Sequence, residues 1–331
     1  KPSSMSAPLL LTFNAGSSTV KIGLFEVVAG TPRRLANGVI DYRAKPLSFC
    51  IDEGDQAVVA NLAADASDDA SAVVAETFNL LDDAFDLSRL AAIGHRVVHG
   101  GDRFAGPVLI DENALASIEA LTTLAPLHQP QGLRLICAVR KVRPDLVQTA
   151  SFDTAFHRTQ DELVRRFAIP RALHDAGIKR YGFHGLSYKF IAGVLARRRP
   201  DLAGGKVVVA HLGSGVSLCA LDGGVSRDTS MGFSTLDGVP MATRSGALDP
   251  GVLLHLLGPG GQSLAAVDDL LYHRSGLLGV SGISADSRAL LASGHPHAGE
   301  AIALFAFRIA GEVARLATTL GGLDAIVFTA G

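Results

Sequence analysis

The feature that most constrains this chain is a piece of strand grammar written twice. Residues 9–27 (LLLTFNAGSSTVKIGLFEV) run an apolar strand into an Asn/Gly/Ser turn and out along a second strand with alternating apolar positions. Residues 206–221 (KVVVAHLGSGVSLCAL) repeat the pattern around Gly-Ser-Gly, although the two copies share little else. A hairpin at the head of each half predicts two related halves. A further strand, residues 324–328 (DAIVF), runs into Thr-Ala-Gly. Between these landmarks, apolar residues at helical spacing cover 115–124 (Leu115, Ile118, Leu121, Leu124), 133–142, 188–198 and 301–320, the last stopped by Gly321 and Gly322. Residues 146–152 (LVQTASF) read as a strand ending on Asp153 and Thr154, and sites in α/β sheets gather at the carboxyl ends of strands. Strands alternating with helices give an α/β fold, with domains of residues 5–157 and 158–331.

Composition narrows the partners. A chain of 331 residues that is 48% hydrophobic and 19% charged can bury a sizeable core, and its length suits two domains. Its formal net charge is -2 with scattered Lys and Arg, which offers no basic stripe to nucleic acid, so small molecules are the expected ligands. Cys50, Cys137 and Cys219 stand far apart without a C-x-x-C pair, which predicts neither a disulfide framework nor a zinc site. No apolar run approaches the ~20 residues of a membrane-spanning helix, and a cytoplasmic location is expected.

A Gly/Ser turn between strands can point several backbone N–H groups into one concavity and bind an anion there, especially beside a lysine. Residues 14–19 followed by Lys21 have that make-up, although such a turn alone most often just connects strands. Gly213, Ser214 and Gly215 form a second. Two such hairpins followed by a late strand and glycine resemble the order of the actin-like (ribonuclease H-like) nucleotide-binding superfamily, which implies ATP or ADP in a cleft between the halves.

The residues support a narrower resemblance. Segments 14–21 (NAGSSTVK), 94–101 (GHRVVHGG), 125–130 (APLHQP), 152–157 (FDTAFH), 181–187 (YGFHGLS), 228–233 (DTSMGF), 243–250 (TRSGALDP), 276–288 (GLLGVSGISADSR) and 322–331 (GLDAIVFTAG) together resemble the acetate kinase family, in family order and across nearly the whole chain. The resemblance implies reversible in-line transfer of the γ-phosphoryl group of ATP to acetate with Mg²⁺. Propionate and butyrate kinases share these blocks, so a kinase of that preference is the neighbouring reading, and a nucleotide-binding switch without acyl transfer is a third. The resemblance also implies a homodimer.

Moving a phosphoryl group onto a carboxylate brings anion against anion, so the site needs fixed positive charge and hydrogen-bond donors. Arg96 and Arg244 suit that task, because a guanidinium fork holds carboxylate or phosphoryl oxygens bidentately. Arg96 stands between Val97-Val98 and histidines, an odd place for a merely solvating arginine. His184 resembles the family's transition-state histidine and His128 a second one on the phosphate path. His95, His99, His157 and His211 read as supports, His211 on the nucleotide side. A carboxylate substrate is already ionised at pH 7 and needs no general base, so Asp153 is cast as a positioner of Mg²⁺. No residue stands out as an activated nucleophile, so a covalent phospho-enzyme is not indicated.

By resemblance, Asn14 lies close to the Mg²⁺-phosphate group, with Ser17, Thr19 and Lys21 on the same side. The Gly213–Gly215 turn, with Ser214, would hold the β-phosphate, Asp286 and Arg288 would flank the adenine and ribose, and Gly331 would touch the nucleotide. Val98, Leu127 and Phe183 would wall a small acyl pocket beside Arg96. Two positions depart from the family pattern: Ser214 stands where an Asn is usual, and Thr235 where a proline often lies beside the acyl pocket. Family members also continue past residue 331 with a Gly-rich turn, a glutamate for Mg²⁺ and further helices. The expectation is therefore that this chain is a cut-short form, binds nucleotide weakly, turns over little or nothing and leaves part of the first domain's face bare.

Overall fold

A computed structural model describes residues 7–16, 19–53, 56–64, 70–126 and 128–329. Ser17, Leu127 and Gly331, named above as site residues, lie outside them. The chain divides into two compact units, 1–155 and 156–331.

Unit 1 is an eight-stranded sheet in the order β5-β4-β3-β2-β1-β6-β8-β7. Its strands are β1 (Leu9–Ala15), β2 (Thr19–Val28), β3 (Thr31–Asp41), β4 (Ser48–Glu53), β5 (Gln56–Asn61), β6 (Leu90–Val97), β7 (Val108–Leu109) and β8 (Val147–Phe152). The first hairpin pairs β1 with β2 antiparallel, and β6 and β8 join in parallel register. Strand periodicity splits the sheet into two chemistries. Leu9, Leu11, Phe13, Ile93 and Ile22 alternate onto one buried face, where Val73, Val74, Phe78 and Leu81 of helix Ala70–Ala84 and Leu135, Ala138 and Val139 of helix Gln129–Val142 cover them. The opposite face carries Lys21, Asn14, Arg96 and Ser151 in one row, because Lys21 pairs with Asn14, Asn14 with Arg96, and Arg96 with Ser151.

Unit 2 repeats the plan with a four-stranded sheet, β11-β10-β9-β12. Its strands are β9 (Lys206–Leu212), β10 (Val216–Asp222), β11 (Val225–Thr229) and β12 (Ala325–Thr329). The second hairpin pairs β9 with β10, and β12 runs parallel to β9. Val207, Val209, Cys219 and Leu221 meet Tyr188 and Leu195 of helix Gly185–Arg198. Helix Pro296–Leu320 packs against β9, β10 and β11. The hairpins, β8, β12 and the helices containing 133–142, 188–198 and 301–320 match the sequence expectations, while 115–124 divides into helix Glu112–Glu119 and a short 3₁₀ turn, Thr122–Leu124.

Candidate active site

In unit 1, Asp153 follows the last residue of β8, and its N–H donates to the Val97 carbonyl at 3.1 Å, which aims the side chain across the ends of the parallel strands. Arg96 meets it there. Nη2 of Arg96 lies 2.5 Å from Oδ2 of Asp153 and Nε lies 3.1 Å from Oδ1, while Nη1 donates to Asn14 Oδ1 at 3.1 Å. Burial works against the Arg96 charge, but the Asp153 carboxylate outweighs it and holds the guanidinium pKa above its ordinary value. Arg96 is therefore not a bare clamp: alternation puts it on the polar face between buried His95 and Val97, and its fork is engaged by Asp153 and Asn14.

The loop after β6 is fastened by groups the sequence reading did not single out. Gln129 is buried and holds the His99 backbone from both sides, accepting from its N–H at 3.2 Å and donating to its carbonyl at 2.9 Å. Gly100 donates to Thr154 Oγ1 at 2.9 Å, and any Cβ at Gly100 would lie 2.9 Å from the Phe152 ring. A carbon cannot be placed there, so the glycine allows the Val98 loop to lie on Phe152 beside Asp153. His128 occupies the position before helix Gln129–Val142, and Val98 is buried. Gly16 donates its N–H to the Thr19 carbonyl at 2.8 Å. Lys21 is exposed on the polar row.

In unit 2, His184 precedes helix Gly185–Arg198 with φ 57° and ψ 18°, a left-handed conformation that costs a non-glycine residue about 1 kcal/mol or more. Its Nδ1 is 2.8 Å from Ser217 Oγ, and Tyr188 Oη shares that hydroxyl. Ser217 and His211 are cross-strand partners, and the His184 and His211 rings lie 4.5 Å apart. His211 Nδ1 is 3.1 Å from Ser187 Oγ.

Arg244 approaches from the loop before helix Pro250–Leu257. Among the described residues it has no carboxylate partner: Nη1 donates to the Thr235 carbonyl at 3.3 Å, and the guanidinium lies 5.9 Å from the centre of the Tyr272 ring. Burial pulls its pKa down from the ordinary arginine value, as expected for a cation short of compensation. Gly276, at φ +62°, lets the loop sit this close, since a Cβ there would be 2.2 Å from the Met241 carbonyl and 2.7 Å from that of Arg244.

These groups converge. A Cβ built on Gly215 would lie 3.4 Å from His184 Nε2 and 3.7 Å from Arg244 Nη1. Among the described residues the N–H groups of Gly213, Ser214 and Gly215 have no protein acceptor, while the Ser214 carbonyl takes the Ala242 N–H at 3.3 Å. A turn with open amides, an imidazole and an under-compensated guanidinium form an anion-receptive corner. Phe183 is buried and Thr235 half-buried in this unit. Asp286 and Arg288, by contrast, are exposed and bind each other at 2.9 Å, with Asp286 capping helix Ser287–Ala292.

Two sheet units opened by matching hairpins, one with this anion-receptive corner, define an α/β protein of actin-like build. Residues 9–331 match the Acetokinase family model. The acetate kinase of Rhodopseudomonas palustris (strain TIE-1) is 47% identical over 333 residues, which span 98% of this chain and 82% of that protein. A propionate kinase from Francisella tularensis subsp. tularensis SCHU S4 superposes with a TM-score of 0.90 at 36% identity, covering 98% of this chain and 84% of its own. The acetate kinase of Porphyromonas gingivalis gives 0.89 at 33% identity, covering 98% and 83%. The chain belongs to the acetokinase family.

Proposed function

We propose that this chain is an ATP-dependent acetate kinase that forms acetyl phosphate and ADP, reversibly and in line. The observation that carries the reading is the corner at Gly215, where His184 and Arg244 meet a turn whose amides have no acceptor among the described residues. The 47% identity to an acetate kinase supports acetate as the acceptor.

The chemistry follows from charge. One carboxylate oxygen of acetate bonds to the γ-phosphorus as the bridging bond to the β-phosphate breaks, and the pair of electrons leaves with ADP. Acetate arrives ionised, so no residue has to remove a proton. Arg244 and a donor nitrogen of His184 stabilise the equatorial phosphoryl oxygens as their charge rearranges, and the amides of Gly213, Ser214 and Gly215 hold the leaving diphosphate. Arg96 binds the acceptor carboxylate once its fork is released from Asp153. By resemblance to the family, Val98 and Phe183 contact the acyl group, Thr19, Lys21 and His211 the phosphate side, His128 donates on the phosphate path, and Asp286 and Arg288 contact the nucleotide.

Among the described residues no group of three His, Cys, Asp or Glu could hold a metal ion by itself. Asp153 and Asn14 supply one carboxylate and one amide oxygen at the same guanidinium, and Mg²⁺ usually takes one or two carboxylates plus phosphate oxygens. The donor set therefore fits an ion that arrives with the nucleotide. Bound there, Mg²⁺ would neutralise phosphate charge. Resemblance to the family is what supports a homodimer and a cytoplasmic location.

The reading is tested by incubating the protein with ATP, Mg²⁺ and either acetate or propionate, then trapping acyl phosphate with hydroxylamine. Hydroxamate formed faster from acetate is expected. ATP consumption without hydroxamate from either acid would overturn it.

A further inference from the structure

The left-handed backbone at His184 has to be held in place, and the side chain packed against the approach to it comes from 27 residues earlier in the chain. We propose that His157 is a positioning residue for His184, acting as the neutral Nε2–H tautomer. The proposal rests on the reading of His184 as a donor to the transferring phosphoryl group.

His157 is 1% exposed and its ring touches the Tyr-Gly-Phe-His segment at successive residues. At Gly182, φ is +81° and a Cβ would lie 2.6 Å from His157 Cδ2, so the ring occupies the space a side chain would need. At Phe183, the carbonyl is 2.9 Å from His157 Nε2. A carbonyl only accepts, so Nε2 carries a proton. The same ring stands edge-on to Tyr188 at 5.7 Å, and Tyr188 shares the Ser217 hydroxyl that binds His184 Nδ1. His157 thus holds the backbone just before His184 and supports the partner of the His184 ring.

Ser226 fixes the protonation state. Its Oγ lies 2.8 Å from His157 Nδ1, 3.3 Å from Gln160 Nε2 and 3.4 Å from Cys219 Sγ. A hydroxyl has one proton and two lone pairs. The Gln160 amide nitrogen can only donate, and burial pushes the Cys219 thiol up to about 12, so that group keeps its proton as well. With Gln160 donating to Ser226 and Nε2 of His157 donating to Phe183, the Ser226 proton goes to His157 Nδ1, and both imidazole nitrogens are paired when the ring is neutral. A protonated imidazole would bring Nδ1 as a further donor to a hydroxyl that already accepts from Gln160. This chain of bonds fixes the tautomer, and the tautomer supplies the bond to Phe183.

The test compares His157→Gln, whose amide nitrogen reaches the Nε2 position, with His157→Asn, whose amide falls short of it, and His157→Leu. Gln is expected to keep kcat for acyl phosphate formation within about threefold, while Asn and Leu lose about tenfold to a hundredfold. KM for ATP and acetate should stay within about twofold in all three, since the effect falls on the transferring group. The His184 imidazole signals in a ¹⁵N-¹H spectrum without substrate are expected to move in Leu and stay in Gln. Full activity in Asn and Leu would overturn the proposal, as would equal losses in all three variants that follow their melting temperatures with the His184 signals unmoved. A wild-type protein that forms no acyl phosphate would sink the kinase reading alone, and the His184 signals would still decide the positioning role. If Leu does not fold, Ser226→Ala takes its place, with a shifted His184 signal expected and an unmoved one contradicting the claim.

Discussion

Arg96 and Asp153 grip each other across the carboxyl ends of β6 and β8, with Nη2 2.5 Å from Oδ2, while the third nitrogen of the same guanidinium holds Asn14. Asp153 is 2% exposed, so its charge depends on Arg96 for compensation. Whatever draws Asp153 away, an ion above all, leaves Arg96 with an unmatched positive charge and two free donors. Asp153→Asn is therefore expected to lower kcat by about tenfold or more and to raise the Mg²⁺ concentration needed for half-maximal rate, without removing any ionisation from the pH–rate profile. A wild-type ionisation that vanishes in the Asn variant would identify a base instead.

Arg244 is the opposite case, a guanidinium that among the described residues has no carboxylate partner beside His184 and Gly215. Arg244→Ala should lower kcat by about 10²-fold, in the range seen when a donor to a developing charge is removed. Arg244→Lys should rescue poorly, because an ammonium cannot reproduce the fork or its stacking on Tyr272. Steady-state kinetics of both variants check this, and wild-type turnover in Ala would remove Arg244 from the chemistry.

Stability should fall in acid through two buried histidines. Burial pulls the pKa of His95, which is hydrogen-bonded to Gln148, from 6.5 down to about 4, and that of His99 likewise to about 4. Between those values the unfolded chain binds protons that the folded one refuses, so stability rises with pH across this window. The contribution is fully present above about pH 6.5 and is lost as pH falls towards 4, by on the order of 3 kcal/mol per group. His95→Gln should flatten the denaturant midpoint against pH by about half. An unchanged slope would show that His95 is not the group involved.

Asp228 shows what the sequence concealed. It lies in the DTSMGF block, yet it is buried against Arg315 at 2.7 Å and Thr319 at 2.8 Å, both on helix Pro296–Leu320. Arg315→Ala should cost about 3 kcal/mol, because it leaves a buried carboxylate unpaired, and a thermal melt would register it. A variant as stable as wild type would mean that water reaches Asp228.

The partners in that pair are 87 residues apart, and no local pattern announces them. The hairpins are legible because strand alternation and Gly/Ser turns are local signals, and β8 because residues 146–152 read as a short strand that stops at Asp153 and Thr154. The antiparallel extension β3 to β5 carries a weaker signal, because Thr31 to Arg34 are exposed and blur the alternation. Arg96 looked anomalous between Val97 and histidines, but a period of two places it naturally on the polar face. The segment 276–288 points Asp286 and Arg288 at a nucleotide, while their two-residue spacing lets them cap a helix and bind each other. Gln129, Ser217, Tyr272 and Ser226 act through tertiary partners, which only the fold reveals.

The central claim is that this chain moves a phosphoryl group from ATP to a carboxylate, and ³¹P NMR of the protein with Mg²⁺, ATP and acetate tests it most directly. The account predicts acetyl phosphate and ADP appearing in equal amounts, both dependent on acetate and both nearly abolished in Arg244→Ala. ADP and inorganic phosphate at the same rate with or without acetate, and no acyl phosphate signal, would contradict it.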